Sequence, residues 1–328
     1  MLYKLLPTRV HRAYHGGENI DKMMGAENPK ITRFPEDWLA SVTTAFNPDR
    51  PIDNEGLSRT TDGRFLRDII DENKETMIGK SENMSLLFKL LDASERLVIQ
   101  VHPTVEFAKE NFNSPFGKTE CWYMLNDGGY IYIGFKPGIT KEYMMELFEK
   151  QDTYTMLEIM HRFEVKKGDF IFVAGGVPHA IGKGCFMAEL QEPTDLMVIP
   201  ERVTPSGIEL ADIKLHGGLG FEKMFDCFSY EGYDRETTYK KYFVSSVKLD
   251  ENVKVISDEK ITDKFKLYEI SIDGEYVYPV ASYGIVLVTE GEGMISNVPV
   301  KQGDRLFVPE NENSLCFSGK IKSLFCTK

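Results

Sequence analysis

The chain puts an amide, two imidazoles and a carboxylate where strand-like runs otherwise carry apolar side chains. Gln100 and His102 lie in "LVIQVHP", Glu120 in "TECWYML", and His179 closes "GGVPH". Alternate residues of a strand share a face, so Gln100 and His102 point one way while Ile99 and Val101 point the other. Two imidazoles, a carboxylate and an amide oxygen on neighbouring strands make an N/O donor set suited to zinc or another divalent ion. Three strong protein ligands leave room for water or substrate, as a catalytic centre needs. A single histidine on a strand fills many structural roles, so the expectation rests on the positions together. His11, His15, His161 and His216 sit in helical or loop contexts and have no such partners.

The elements that must position these residues are short. From Leu86 onward, "LLFKLLD", "LVIQVHP", "CWYML" and "YIYIGF" read as β-strands separated by turn residues. "FIFVAG" and "CFMAELQE" continue the pattern after the turn "KKGD". The stretches Thr140 to Val165 and Pro205 to Phe228 have mostly helical spacing and interrupt the strands. Upstream, Asn47 to Gly63 is turn-rich, and "GRFLRDIIDENKETMIG" is helical with Asp62 as its expected N-cap. The tail from about Tyr242 returns to strands. Trp38, in "FPEDWLASVTTAF", and Trp122 are read as packing aromatics, with Trp38 also able to line one side of the site.

One block occurs twice. "VKKGDFIFVAGGVPHAIGKG" and "VKQGDRLFVPENENSLCFSG" share a basic residue, a Gly-Asp turn and a strand with Phe-Val, each preceded by an apolar strand and a Gly-rich turn. Two such copies resemble the small β-barrel called a cupin. The expected fold is mostly β, a double cupin with helical insertions. The expected domains are 1–240, bearing the metal, and 241–328, a metal-less cupin-like unit. The copies differ at the decisive position: ten residues after Asp169 stands His179, and ten after Asp304 stands Ser314.

Composition narrows the function classes. With 328 residues, 42% apolar, the chain can bury a sizeable core. A net charge of −12 without a Lys/Arg run argues against a nucleic-acid face. No apolar run is long enough to span a bilayer. Five scattered cysteines, never paired as CxxC, read as reduced thiols of a cytoplasmic protein. The expected partner is a small molecule, with the chain a monomer or homodimer.

Taken in order, "LLFKLLDASERLVIQVHPT", "GKTECWYML", "PHAIGKG" and "ELQEPTD" resemble the successive motifs of type I phosphomannose isomerases. That resemblance implies a cytoplasmic zinc-dependent aldose–ketose isomerase that interconverts mannose 6-phosphate and fructose 6-phosphate through a cis-enediol. It implies one zinc per chain on Gln100, His102, Glu120 and His179, and a substrate-facing Lys118. On its residues alone, Lys118 reads equally well as a solvated turn lysine. Glu189, on the strand after His179, is expected to orient Lys118 or the substrate; its plainer reading is an edge-strand carboxylate. Two positions depart from the family pattern. Val98 replaces a serine and Ile199 an arginine, and neither can hydrogen-bond an oxyanion; Arg202 is the candidate substitute. The departures leave open a non-catalytic sugar-binding cupin or an isomerase of a different sugar. An iron cupin dioxygenase fits the flanking motifs less well.

Overall fold

Apolar runs with period-two alternation become strands when both of their faces find partners. The computed structural model describes residues 1–328. A six-stranded antiparallel sheet runs in the order Arg9–Val10, Glu36–Leu39, Leu87–Asp92, Phe186–Gln191, Glu120–Met124, Phe170–Val173. Facing it is a three-stranded sheet of Met160–Glu164, Tyr130–Phe135 and His179–Ile181. Between them Trp122, Met124, Ile171 and Met187 of the first sheet meet Ile131, Ile133, Phe163 and Ile181 of the second. This is the first barrel.

The remaining strands form one eight-stranded sheet built on three long strands, Lys266–Pro279, Gly284–Ile295 and Ser314–Thr327. Its edge strand is Tyr3–Lys4, from the other end of the chain, paired antiparallel with Arg305–Val308. The outer face of the six-stranded sheet packs on this second unit. Leu39, Phe88, Cys121, Tyr123, Phe170 and Phe186 share one apolar cluster with Ile256, Leu267, Tyr283, Phe307 and Leu324. The fold is mostly β, as expected.

The duplicated block folds the same way twice. Gly168 and Gly303 take φ of 89° and 86°, which a residue with a Cβ adopts only with strain. Next to each, an aspartate caps the turn: Asp169 Oδ2 accepts from Lys166 N at 2.9 Å, and Asp304 Oδ2 from Lys301 N at 2.8 Å. His179 is fully buried, whereas its counterpart Ser314 merely opens a strand.

Several local expectations need correction. The run "LVIQVHP" is no regular strand; only Gln100 and Val101 form isolated bridges, to His179 and Val198. The reason is visible at Ile99, whose N–H donates to the Glu201 carboxylate at 2.5 Å rather than to a strand carbonyl. Residues Thr140 to Val165 hold helices Lys141–Lys150 and Thr153–Glu158, but end in the strand Met160–Glu164. Helix Arg235–Tyr242, capped by Asp234, was not anticipated. Asp62 does not cap the helix Leu66–Glu72, which starts at Phe65; its carboxylate instead accepts from Thr60 Oγ1 within the preceding turn. The five cysteines are all free, and no helix is long and apolar enough to cross a membrane.

The two units are also joined by charge. Asp37 and Arg305 are buried and pair at 2.6 Å, and Asp37 accepts from Thr8 N at 2.7 Å. Removing one member of such a pair leaves an uncompensated buried charge. Asp37→Ala is expected to cost about 3–5 kcal/mol in urea unfolding. Glu236→Ala, which breaks the exposed pair with Lys240, should cost under about 0.5 kcal/mol. Equal effects would show that the inter-unit pair is not a stabilising contact.

Candidate active site and metal centre

Strand parity places the polar residues. Along Glu120–Met124, Cys121 and Tyr123 face the second unit while Trp122 and Met124 face the first barrel, so Glu120 belongs to the inner set. The same alternation puts Phe186, Ala188 and Leu190 outward, and Met187, Glu189 and Gln191 inward. Register then lines up Trp38, Lys89, Glu189 and Trp122 as one row across four strands. His179 heads its own strand beside Ile133, and its backbone exchanges two hydrogen bonds with Gln100, at 2.9 and 3.1 Å.

His102, Glu120 and His179 converge, each with at most 1% exposure, and their ligand atoms lie within 4.8 Å of one another. His102 Nδ1 donates to Leu196 O and His179 Nδ1 to Val177 O, both at 2.9 Å. These bonds fix the tautomer and leave both Nε2 atoms unprotonated, as acceptors. His102 Nε2 is 3.2 Å from Glu120 Oε2, and His179 Nε2 is 3.4 Å from Glu120 Oε1. Donors around a tetrahedral zinc with bonds near 2.1 Å stand about 3.4 Å apart. Trp122 supports the set: its indole donates to Glu120 Oε1 at 3.1 Å, and its ring meets His179 edge-on.

The electrostatics favour a cation at this point. Burial pushes His179 down to about 3, and burial with the neighbouring Lys118 lowers His102, so both imidazoles are neutral near pH 7. Burial by itself pushes the Glu120 carboxyl up, but Lys118 and His102 hold it well below the usual carboxylate range. His179 Nε2 has no hydrogen-bond partner although fully buried, which is costly unless something else satisfies it, and Glu120 Oε2 has only its ion pair with Lys118. Two neutral imidazoles and one carboxylate with an unpartnered acceptor fit a divalent ion. His102, Glu120 and His179 thus form a group that can hold a metal. Lys118 directs its ammonium at the same atoms, 2.8 Å from His102 Nε2 and 3.0 Å from Glu120 Oε2.

Gln100 and Lys118 also line a cleft beside this group. One wall is apolar, with Leu97, Val98, Met197, Ile199 and Leu210; the other is a lattice of buried charge. Arg12 grips Glu36 at 2.8 and 3.2 Å and Asp195 at 2.9 and 3.0 Å. Burial alone would raise the carboxyl of Glu36, yet Arg12 and Lys89 hold it down at about 2. Lys89 reaches Glu189 at 3.1 Å and lies over the Trp38 ring. Burial pushes the Glu189 carboxyl up, with Lys89 opposing.

The expected site residues fare differently. Gln100, Lys118 and Glu189 line the cleft, whose lining does not include His102, Glu120 or His179; Lys118 connects the two, and Glu189 faces Lys89 rather than Lys118. Arg202 is elsewhere: its guanidinium sits over Phe148 and Phe221 and pairs with Asp212, outside the cleft lining. Trp38 is fully buried behind Arg12 and Lys89, donating to Glu36 at 2.7 Å, and does not line the cleft. Arg12, Lys89, Arg96, Asp195 and Lys214 were missed. For Lys89 the signal was present, a lysine in the middle of the apolar run "LLFKLLD".

Comparison with known proteins agrees with this geometry. The family described as "Phosphomannose isomerase type I, catalytic domain" matches residues 2–124, a stretch that carries Gln100, His102, Lys118 and Glu120. A mannose-6-phosphate isomerase of Streptococcus mutans serotype c is 28% identical over 332 residues, spanning 97% of this chain and 95% of that protein. The Bacillus subtilis mannose-6-phosphate isomerase ManA is 40% identical over 119 residues, 35% of this chain and 36% of that one. The crystal structure of a mannose 6-phosphate isomerase from Bacillus subtilis shares the fold, with a TM-score of 0.78 at 23% identity, covering 100% of this chain and 99% of that one. The buried His-Glu-His group thus stands in a chain whose residues 2–124 match the type I phosphomannose isomerase catalytic domain and which is similar along nearly its whole length to a mannose-6-phosphate isomerase.

Proposed function

We propose that this protein is a zinc-dependent aldose–ketose isomerase acting on mannose 6-phosphate and fructose 6-phosphate. The observation that carries the reading is the buried group of His102, Glu120 and His179, set with Lys118 and Gln100 beside a cation-lined cleft. Gln100 is assigned as the fourth ligand. When bound, zinc supplies Lewis-acid polarisation of the sugar oxygens.

The chain's own residues supply the rest. Isomerisation moves a proton between C1 and C2 through a cis-enediol, and negative charge develops on the two oxygens. The buried Lys118 ammonium is placed to stabilise that charge, in a setting where few waters screen it. Glu189 keeps one oxygen on Lys89 and is assigned to orient the sugar hydroxyls with the other. The apolar wall holds the sugar against these groups and excludes water from the enediol.

Val98 and Ile199 in that wall favour a second reading, an isomerase of a sugar with a less polar end. A coupled assay of purified, zinc-loaded protein with mannose 6-phosphate, run beside a panel of aldoses with and without phosphate, separates the two. Turnover of mannose 6-phosphate is expected to exceed that of mannose. Failure to convert it, with one zinc bound and the protein folded, would defeat the leading assignment.

Three further outcomes follow. Removing zinc with a chelator should lower the melting temperature, and re-addition should restore it, because a ligand bound only to the folded state stabilises it. His102→Ala should bind less than one zinc per chain by elemental analysis; full occupancy would remove His102 from the ligand set. Lys118→Met should lower kcat about 100- to 1,000-fold with zinc content unchanged. A drop confined to KM would make Lys118 a binding residue only.

A further inference from the structure

We propose that Lys214 is the anion contact of the cleft, the residue that receives the phosphate group of a sugar phosphate; the inference rests on the sugar-phosphate reading above. Five cations line the cleft: Arg12, Lys89, Arg96, Lys118 and Lys214. Four of them are already neutralised. Arg12 holds Glu36 and Asp195, Lys89 holds Glu189, and Lys118 holds Glu120. Arg96 forks onto Glu201 at 2.7 and 2.8 Å. A phosphate arriving at any of these would compete with a carboxylate already in place.

Lys214 differs. No carboxylate lies in contact with its ammonium; its partners are neutral, Phe46 O at 2.7 Å and Asn47 Oδ1 at 3.3 Å. A lysine ammonium has three donors, so one remains for an incoming acceptor. Burial and the nearby Arg12 push Lys214 down to about 8, with Asp195, Glu36 and Asp49 opposing from beyond contact, the direction expected of a cation partly withdrawn from water with no carboxylate touching it. A phosphate dianion supplies that counter-charge.

The backbone holds Lys214 in place over the apolar wall. It lies on the helix Asp212–His216, whose Leu215 packs with Ile199 and Leu210 and accepts from Ile199 N at 2.8 Å. The wall itself offers a phosphate nothing, since Val98, Met197, Ile199 and Leu210 have no polar side-chain hydrogens. The position of Lys214 at this wall therefore decides whether a charged sugar can be held there.

The test uses the full-length, zinc-loaded protein and its variants Lys214→Met, Lys214→Gln and Lys214→Arg. Calorimetric titration with inorganic phosphate, and KM and kcat for mannose 6-phosphate, are measured on each; Lys214→Gln keeps a donor for Phe46 O should the methionine variant melt early. Losing a charged hydrogen bond should weaken phosphate binding and raise KM roughly 10- to 100-fold, with a smaller change in kcat, and arginine should restore most of the affinity. Phosphate affinity in Lys214→Met or Lys214→Gln equal to that of the unsubstituted protein, or no phosphate binding by the latter, would overturn the inference. Phosphate binding that depends on Lys214 without any turnover would keep the anion contact and remove the isomerase assignment.

Discussion

The sheet that carries Glu120 is buried on both faces, and this governs almost everything else in the molecule. A half-exposed sheet would let a polar residue turn to water. Here each inward residue must be apolar or find a partner, because an isolated charge in such a place is far too costly. Glu120 is therefore held by Trp122 and Lys118, and Glu189 by Lys89. Asp37, on the opposite face, is held by Arg305. The chemistry of the site and the joint between the two units are answers to one constraint.

Much of this was legible in the linear order of residues. The run "TECWYML" put Glu120 in an otherwise apolar strand, and the Gly-Asp turns exposed the repeat through the positive φ that each requires. The contrast between His179 and Ser314 pointed to the barrel in which His102, Glu120 and His179 come together. These features are local, and local rules suffice for them. What failed were the cases in which tertiary contacts overrode local preference. Ile99 gave its backbone hydrogen bond to a carboxylate at position 201, so the expected strand became two isolated bridges. Met160–Glu164 looked helical because it continued an apolar rhythm, but Tyr130–Phe135 captured it as a strand.

The charged lattice was hidden for a different reason. Arg12, Glu36, Lys89 and Asp195 come from widely separated parts of the chain, and their pairing exists only once the sheet has its register. Arg202 was the natural guess for a replacement cation by its distance along the chain. The aromatic faces of Phe148 and Phe221 hold it instead, and the helix at 212–216 brings a lysine to the cleft.

The pairing of Tyr3–Lys4 with Arg305–Val308 has a temporal side. The two strands stand about 300 residues apart in the sequence, so the earlier one waits without its neighbour while the intervening residues are synthesised. At ordinary ribosomal rates of about 5–20 residues per second, that interval is roughly 15 to 60 seconds. The strands of the first barrel lie between the two in sequence and are made during that time, but the seam along the second sheet closes only once Arg305–Val308 has emerged. The closing of that seam is thus set by two distant strands and not by the residues of the candidate site.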